Sequence, residues 1–120
     1  MIRTGMMIQV IGTKKCKETM KALRFLKERG IDFQFVDLKQ RCLSPGELKN
    51  IAAGVDPADM VDTRSKRYRE RGLEFLVYDP LGELEEDPEL LVTPVIRTRK
   101  RAVLGFDPGV LEELAGESDG

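Results

Sequence analysis

Two cysteines and no histidine set the chemistry open to this chain of 120 residues. Without histidine there is no Ser-His-Asp or Cys-His catalysis and no His-ligated metal. Two thiols cannot complete a four-thiolate zinc site either. What remains is a nucleophilic thiolate. Cys16 follows Lys14 and Lys15 and precedes Lys17, and nearby cations favour thiolate over thiol. Lys14 and Lys15 are also candidates to hold an anionic substrate. The competing reading of Cys16 is a small buried apolar residue. No C-x-x-C is present, because Lys17, Glu18 and Thr19 follow Cys16. A second thiol would be Cys42 or would belong to another molecule. Cys42 is therefore either a resolving thiol or a loop cysteine without a role. A bond between the two requires Cα atoms within about 7 Å. Arg64 lies in a basic run with Lys66, Arg67, Arg69 and Arg71. It either turns toward the thiolate or an anionic substrate or belongs to a solvated face. Thr93 and Pro94 enter an apolar run and could offer backbone groups to an extended thiol peptide.

These residues need elements to position them. The β-branched apolar run at 7–11 predicts a strand. An amphipathic helix follows, with Met20, Leu23 and Leu26 on its apolar face, Ala22 and Phe25 beside them, Thr13 as a candidate N-cap and Gly30 at its C-terminal end. Cys16 then lies in or near the first turn, where unpaired N–H groups and the helix dipole favour an anion. Residues 31–37 alternate apolar and polar and predict a second strand. One strand–helix–strand unit makes the two strands parallel, with a right-handed crossover. That places the end of the second strand, and Cys42 beyond it, on the sheet edge of Cys16.

Ser44-Pro45-Gly46-Glu47 reads as a capping box opening a helix with Leu48, Ile51 and Ala52 inward. A short helix opens at Asp56-Pro57, and a basic turn at 62–65 runs into a helix stopped by Gly72. Residues 73–78 suit a strand or a buried helical turn, which periodicity cannot separate. Asp79 to Gly82 reads as a break before an acidic helix over 83–91. A strand over 92–98, a basic tip at Arg99-Lys100-Arg101, a return strand over 102–106, a helix from Asp107-Pro108 through Leu114 and a loose tail complete the chain.

Basic residues number 20 and acidic residues 21, for a net charge of −1. That balance argues against a nucleic-acid or membrane surface. No apolar run approaches the ~20 residues a bilayer needs. The first five residues are too short and polar for a secretory signal and read as a ragged start ahead of Met6 or Met7. The expectation is a cytoplasmic, monomeric protein in which a thiol does redox chemistry. It is a single domain over 1–120, with a helical insertion at about 44–91. No metal and no tightly bound organic cofactor is expected.

The order β-α-β, helices, β-β-α is that of a thioredoxin-like α/β fold. Four sequence pieces resemble the arsenate reductase family of glutaredoxin-like proteins, which also holds the Spx-type regulators. They are Ile11-Gly12-Thr13-Lys14-Lys15-Cys16 with Met20-Lys21-Ala22; Gly30-Ile31 and Asp37 with Ser44-Pro45-Gly46-Glu47-Leu48; Asp62-Thr63-Arg64 with Tyr68-Arg69; and Thr93-Pro94-Val95-Ile96 with Gly105-Phe106. The resemblance implies a nucleophile at Cys16 that attacks arsenate. Glutathione, with glutaredoxin, then completes the reduction. It also implies a cis peptide before Pro94, beside the thiol. The reductases carry an arginine before that proline to hold the oxyanion. Thr93 stands there in this chain, as in ordinary glutaredoxins and thioredoxins, and the arsenate site loses that arginine. The Spx side of the family implies a different role, a transcriptional regulator or binding module contacting RNA polymerase. Regulators of that kind carry a C-x-x-C switch, which is missing at Thr19.

Overall fold

A computed structural model describes residues 8–98 and 101–119, with side chains to residue 116. Met7, the ragged start, and Arg99 and Lys100 of the basic tip lie outside the described residues. The chain divides into two compact units, one of residues 1–41 with 93–120 and one of residues 42–92.

The first unit holds the sheet. Strand β1 (Ile8–Gly12), helix α1 (Lys17–Glu28) and strand β2 (Phe33–Asp37) are followed, after the second unit, by β3 (Val95–Arg97) and β4 (Ala102–Leu104). The sheet order is β2-β1-β3-β4. β1 and β2 are parallel, as the crossover rule requires. β3 is antiparallel to both β1 and β4. Ile8 and Val10 alternate onto one face of the sheet with Ile96. Ala22, Leu23 and Leu26 of α1 cover them, together with Leu111, Leu114 and Ala115 of the C-terminal helix. Each fully buried aliphatic chain here contributes about 1.5–3 kcal/mol. The C-terminal helix continues to Asp119, so the expected loose tail is helical through that residue.

Helix α1 differs from expectation in two ways. Its N-cap is Cys16, not Thr13. Its buried stripe is Thr19, Ala22, Leu23 and Leu26, while Met20 is 43% exposed. Positions 19, 22, 23 and 26 form the one-sided i, i+3, i+4, i+7 set that packs on the sheet. A polar threonine therefore faces the core and a methionine faces water. Gly30 ends the helix with φ of +67°, a conformation that costs glycine little.

The second unit is helical. Its elements are α2 (Pro45–Ala52), α3 (Pro57–Met60), α4 (Lys66–Glu70), a 3-10 turn (Leu73–Phe75), α5 (Pro80–Glu86) and a second 3-10 turn (Pro88–Leu90). The capping box at Ser44 is complete, with both reciprocal hydrogen bonds present. Asp56 and Ser65 cap α3 and α4. The expected break at Asp79 is instead a helix start: Asp79 accepts from the Gly82 N–H, and Pro80 takes the first turn. The acidic helix ends at Glu86, because Pro88 lacks the N–H that an unbroken helix would use. Residues 73–78 form neither expected element beyond the short 3-10 turn, and Phe75, Leu76 and Val77 stand exposed. Asp87 is buried and pairs with Arg67 and Arg71, and Arg71 also pairs with Glu83. Val61 bridges Leu91, tying the stretch after α3 to the end of this unit.

Candidate functional site

Strand β1 ends at Gly12, and the chain reverses before α1. The Cys16 N–H donates to the Thr13 carbonyl at 3.2 Å, which closes a turn with Lys14 and Lys15 exposed at its centre. Cys16 then takes the N-cap position with extended backbone, φ −83° and ψ 118°. Its carbonyl accepts the first helical bond, from the Met20 N–H at 3.1 Å. At an N-cap the side chain faces the N–H groups of the second and third helical residues, here Glu18 and Thr19. The protonated thiol makes no capping bond. It donates instead to the Thr93 carbonyl at 3.5 Å. The Thr93–Pro94 peptide is cis, and the structure brings Cys16 to Thr93, which the sequence holds far apart.

Thr19 is the residue that sequence reasoning passed over. It is fully buried, and its Oγ1 has no hydrogen-bond partner in the thiol state. Burying an unsatisfied hydroxyl is costly. Burial pushes the Cys16 thiol up, but the hydroxyls of Thr19 and Thr93 and the N–H groups of Thr19 and Glu18 outweigh it, and the thiol lies below its ordinary value. Hydrogen bonds, rather than the charges of the exposed lysines, lead that lowering. Gly12 belongs to the same arrangement. A Cβ there would lie 2.4 Å from Thr19 Oγ1 and 2.9 Å from Cγ2, so only glycine lets Thr19 pack beneath the thiol. Two signals were available in the sequence: Thr19 is in step with Ala22, Leu23 and Leu26, and it stands third after Cys16, at the end of a Cys-x-x-Thr.

Lys14 lines an open cavity of about 420 Å³ with Phe35, Asp37, Gln40 and Arg41. Arg41 is a second cation near the thiol loop that sequence reasoning did not single out. Lys15 is exposed beside Lys14. Cys42 and Arg64 belong to the second unit. Cys42 is an exposed thiol. Arg64 is exposed, its N–H donates to Asp62 Oδ1 at 3.0 Å, and its carbonyl accepts from Arg69. Among the described residues no cluster of His, Cys, Asp and Glu is arranged to hold a metal, and no helix is long and apolar enough to cross a membrane.

A β-α-β unit joined to a β-β-α unit, with a cysteine capping the first helix opposite a cis-proline, defines a thioredoxin-like protein. A scan against protein-family models finds no match. The chain is 31% identical over 107 residues to the regulatory protein MgsR of Bacillus subtilis, covering 83% of each chain. It is 27% identical over 106 residues to the global transcriptional regulator Spx of Streptococcus pyogenes serotype M1, covering 84% of this chain and 79% of that one. Its fold superposes on an arsenate reductase from Vibrio cholerae with a TM-score of 0.79 at 20% identity, over 92% of this chain and 99% of the other. The chain belongs to the Spx and arsenate reductase family of thioredoxin-like proteins.

Proposed function

We propose that Cys16 is a redox-reactive thiol that undergoes exchange with glutathione, in the manner of a glutathione- or glutaredoxin-dependent oxidoreductase. The observation that supports this best is the placing of Cys16 at the N-cap of α1, with its sulfur 3.5 Å from the carbonyl of Thr93 in the cis Thr93–Pro94 peptide. The Cys16 thiolate attacks one sulfur of a disulfide, forming a mixed disulfide and releasing the other sulfur as a thiolate that takes up a proton. A second thiolate, from glutathione or glutaredoxin, then attacks the outer sulfur and returns Cys16 as thiolate. Thr93 and Pro94 line the approach to the sulfur. Lys14 and Arg41, across their cavity, suit the carboxylates of an anionic thiol, with Lys15 adding to the field. Cys42 is the candidate for an internal resolving thiol and Arg64 for a further anion contact. Arsenate, the substrate suggested by family resemblance, would have to be held without the arginine that Thr93 replaces.

The test is incubation of the reduced protein with glutathione disulfide, followed by peptide mass spectrometry. Faster addition of one glutathionyl group at Cys16 than at Cys42, absent in Cys16→Ser, supports the reading. Equal slow addition at both cysteines overturns it. Arsenate reduction with glutathione and glutaredoxin supplied, compared with Cys16→Ser, separates reductase activity from exchange alone.

A second reading is favoured by the two relatives named as regulators. On it, the chain is a regulator or binding module contacting RNA polymerase, and Cys16 tunes or merely borders the docking face. Co-purification of polymerase with the tagged chain, unchanged by Cys16→Ser, supports a binding role independent of the thiol.

A further inference from the structure

The far edge of the sheet has a geometry that thiol chemistry does not use. β4 is the last strand. Its register pairs Val95 with Leu104, Ile96 with Val103 and Arg97 with Ala102. In an antiparallel ladder, residue pairs alternate between exchanging both hydrogen bonds and exchanging none. The Gly105 N–H donates to the Pro94 carbonyl and the Thr98 N–H to the Arg101 carbonyl, each at 2.8 Å. The bonded positions on β4 are therefore 101, 103 and 105. Ala102, 8% exposed, and Leu104, half-buried, fall between them, and their N–H and C=O groups point away from β3.

Beside this edge lies a cavity of about 140 Å³, between β4 and α6 (Pro108–Asp119). Ile96, Val103, Leu104, Val110 and Leu111 line it, and Asp107 is its one charged lining residue. Drug-sized ligands usually occupy about 300–1,000 Å³, so this volume suits a single aliphatic side chain. Asp107 Oδ1 already accepts from the Gly109 and Val110 N–H groups at 2.9 and 3.3 Å. A cation approaching the cavity would meet Oδ2.

We propose that the β4 edge and this cavity form a docking groove for an extended segment of a partner protein, which adds as a strand beside Ala102–Leu104. Main-chain bonds to Ala102 and Leu104 give it affinity, and its alternate side chains give it selectivity. A residue opposite Val103 shares that residue's face and sets a branched aliphatic side chain into the cavity. A lysine or arginine about two or about four residues away lies on the same face and reaches Asp107. A second copy of this chain fits less well. Its own β4 reverses at Arg101, which would stand opposite Gly105, before its backbone drew level with Asp107. A linear segment can continue past that point.

The test is selection of a phage-displayed random nonapeptide library on the intact chain. The synthesised winners are then titrated by fluorescence anisotropy and amide NMR. The expected winners carry a branched aliphatic residue with a nearby lysine or arginine, and they shift the amides of Ala102 and Leu104. Leu104→Pro removes an outward N–H while leaving the β3 bonds intact, and it should weaken binding at least tenfold. Val110→Lys, at the cavity, should do the same by a different route. Asp107→Asn keeps the helix cap and should weaken binding severalfold, with loss of salt dependence. Thermal unfolding and glutathionylation of Cys16 serve as controls that each variant is folded. Winners that bind Leu104→Pro and Val110→Lys as well as wild type, winners that shift amides elsewhere, an absence of winners above background, or concentration-dependent self-association through Ala102 and Leu104 would each overturn the proposal.

Discussion

Replacing Thr19 by valine isolates what the buried hydroxyl does for the thiol. Valine keeps the shape and removes one donor. Thr19 is fully buried, and its Oγ1 lacks a partner while Cys16 is protonated, so the thiol form loses little. The thiolate loses a hydrogen bond to a charged group, worth at the lower end about 1.5 kcal/mol. That is about a tenfold fall in the thiolate-to-thiol ratio at any pH below the transition. A more basic thiolate is also a better nucleophile, with a Brønsted slope near 0.4–0.5, which returns about threefold. Alkylation at fixed pH should therefore slow by only about threefold, while the directly titrated thiolate falls about tenfold. Both are read in a Cys42→Ser background, by thiolate absorbance against pH and by iodoacetamide kinetics. The sign of the stability effect follows from linkage. The folded thiol lies below its ordinary value, so the thiolate stabilises the fold above the unfolded thiol's transition, and that gain is lost as pH falls through the folded one. Thr19→Val should thus be as stable as wild type, or slightly more so, in acid and less stable in alkali. An unchanged thiolate titration, or equal destabilisation at both ends of the pH range, would refute the role assigned to Thr19.

Gly12→Ala should destabilise by about 1–3 kcal/mol through overpacking against Thr19. Urea titration of the double variant Gly12→Ala with Thr19→Ala should show most of that loss recovered, the signature of direct contact. Ser44→Ala removes half of a complete capping box and should cost about 1 kcal/mol by the same measurement. Asp87→Ala should lower the urea midpoint more than Arg67→Ala does, because Asp87 is buried, pairs with two arginines and accepts from the Glu89 N–H. Equal losses would show that the cluster acts only through its surface pair.

The element order, the parallel pairing of β1 and β2, the capping box at Ser44 and the placing of Cys16 near a helix start could all be read from local pattern. Each depends on interactions within a few residues, or on the fixed hand of a strand–helix–strand crossover. The rotation of α1 could not be read in this way. Leu23 and Leu26 are shared by a stripe that takes in Met20 and by one that takes in Thr19, so local pattern leaves open which of the two faces the core. Packing against Gly12 and the sheet made that choice. The meeting of Cys16 with Thr93 was likewise settled by tertiary structure, since β3 must lie antiparallel beside β1 before the cis-proline loop reaches the helix start. The apolar stretch at 73–78 carried no periodicity to direct it and became a 3-10 turn that buries Leu73 and leaves Phe75, Leu76 and Val77 exposed. Local spacing thus placed Cys16 at a helix start. Of the groups that favour its thiolate, the helix-start N–H groups are local, whereas Thr93 reaches it on a loop that only the closed sheet brings there.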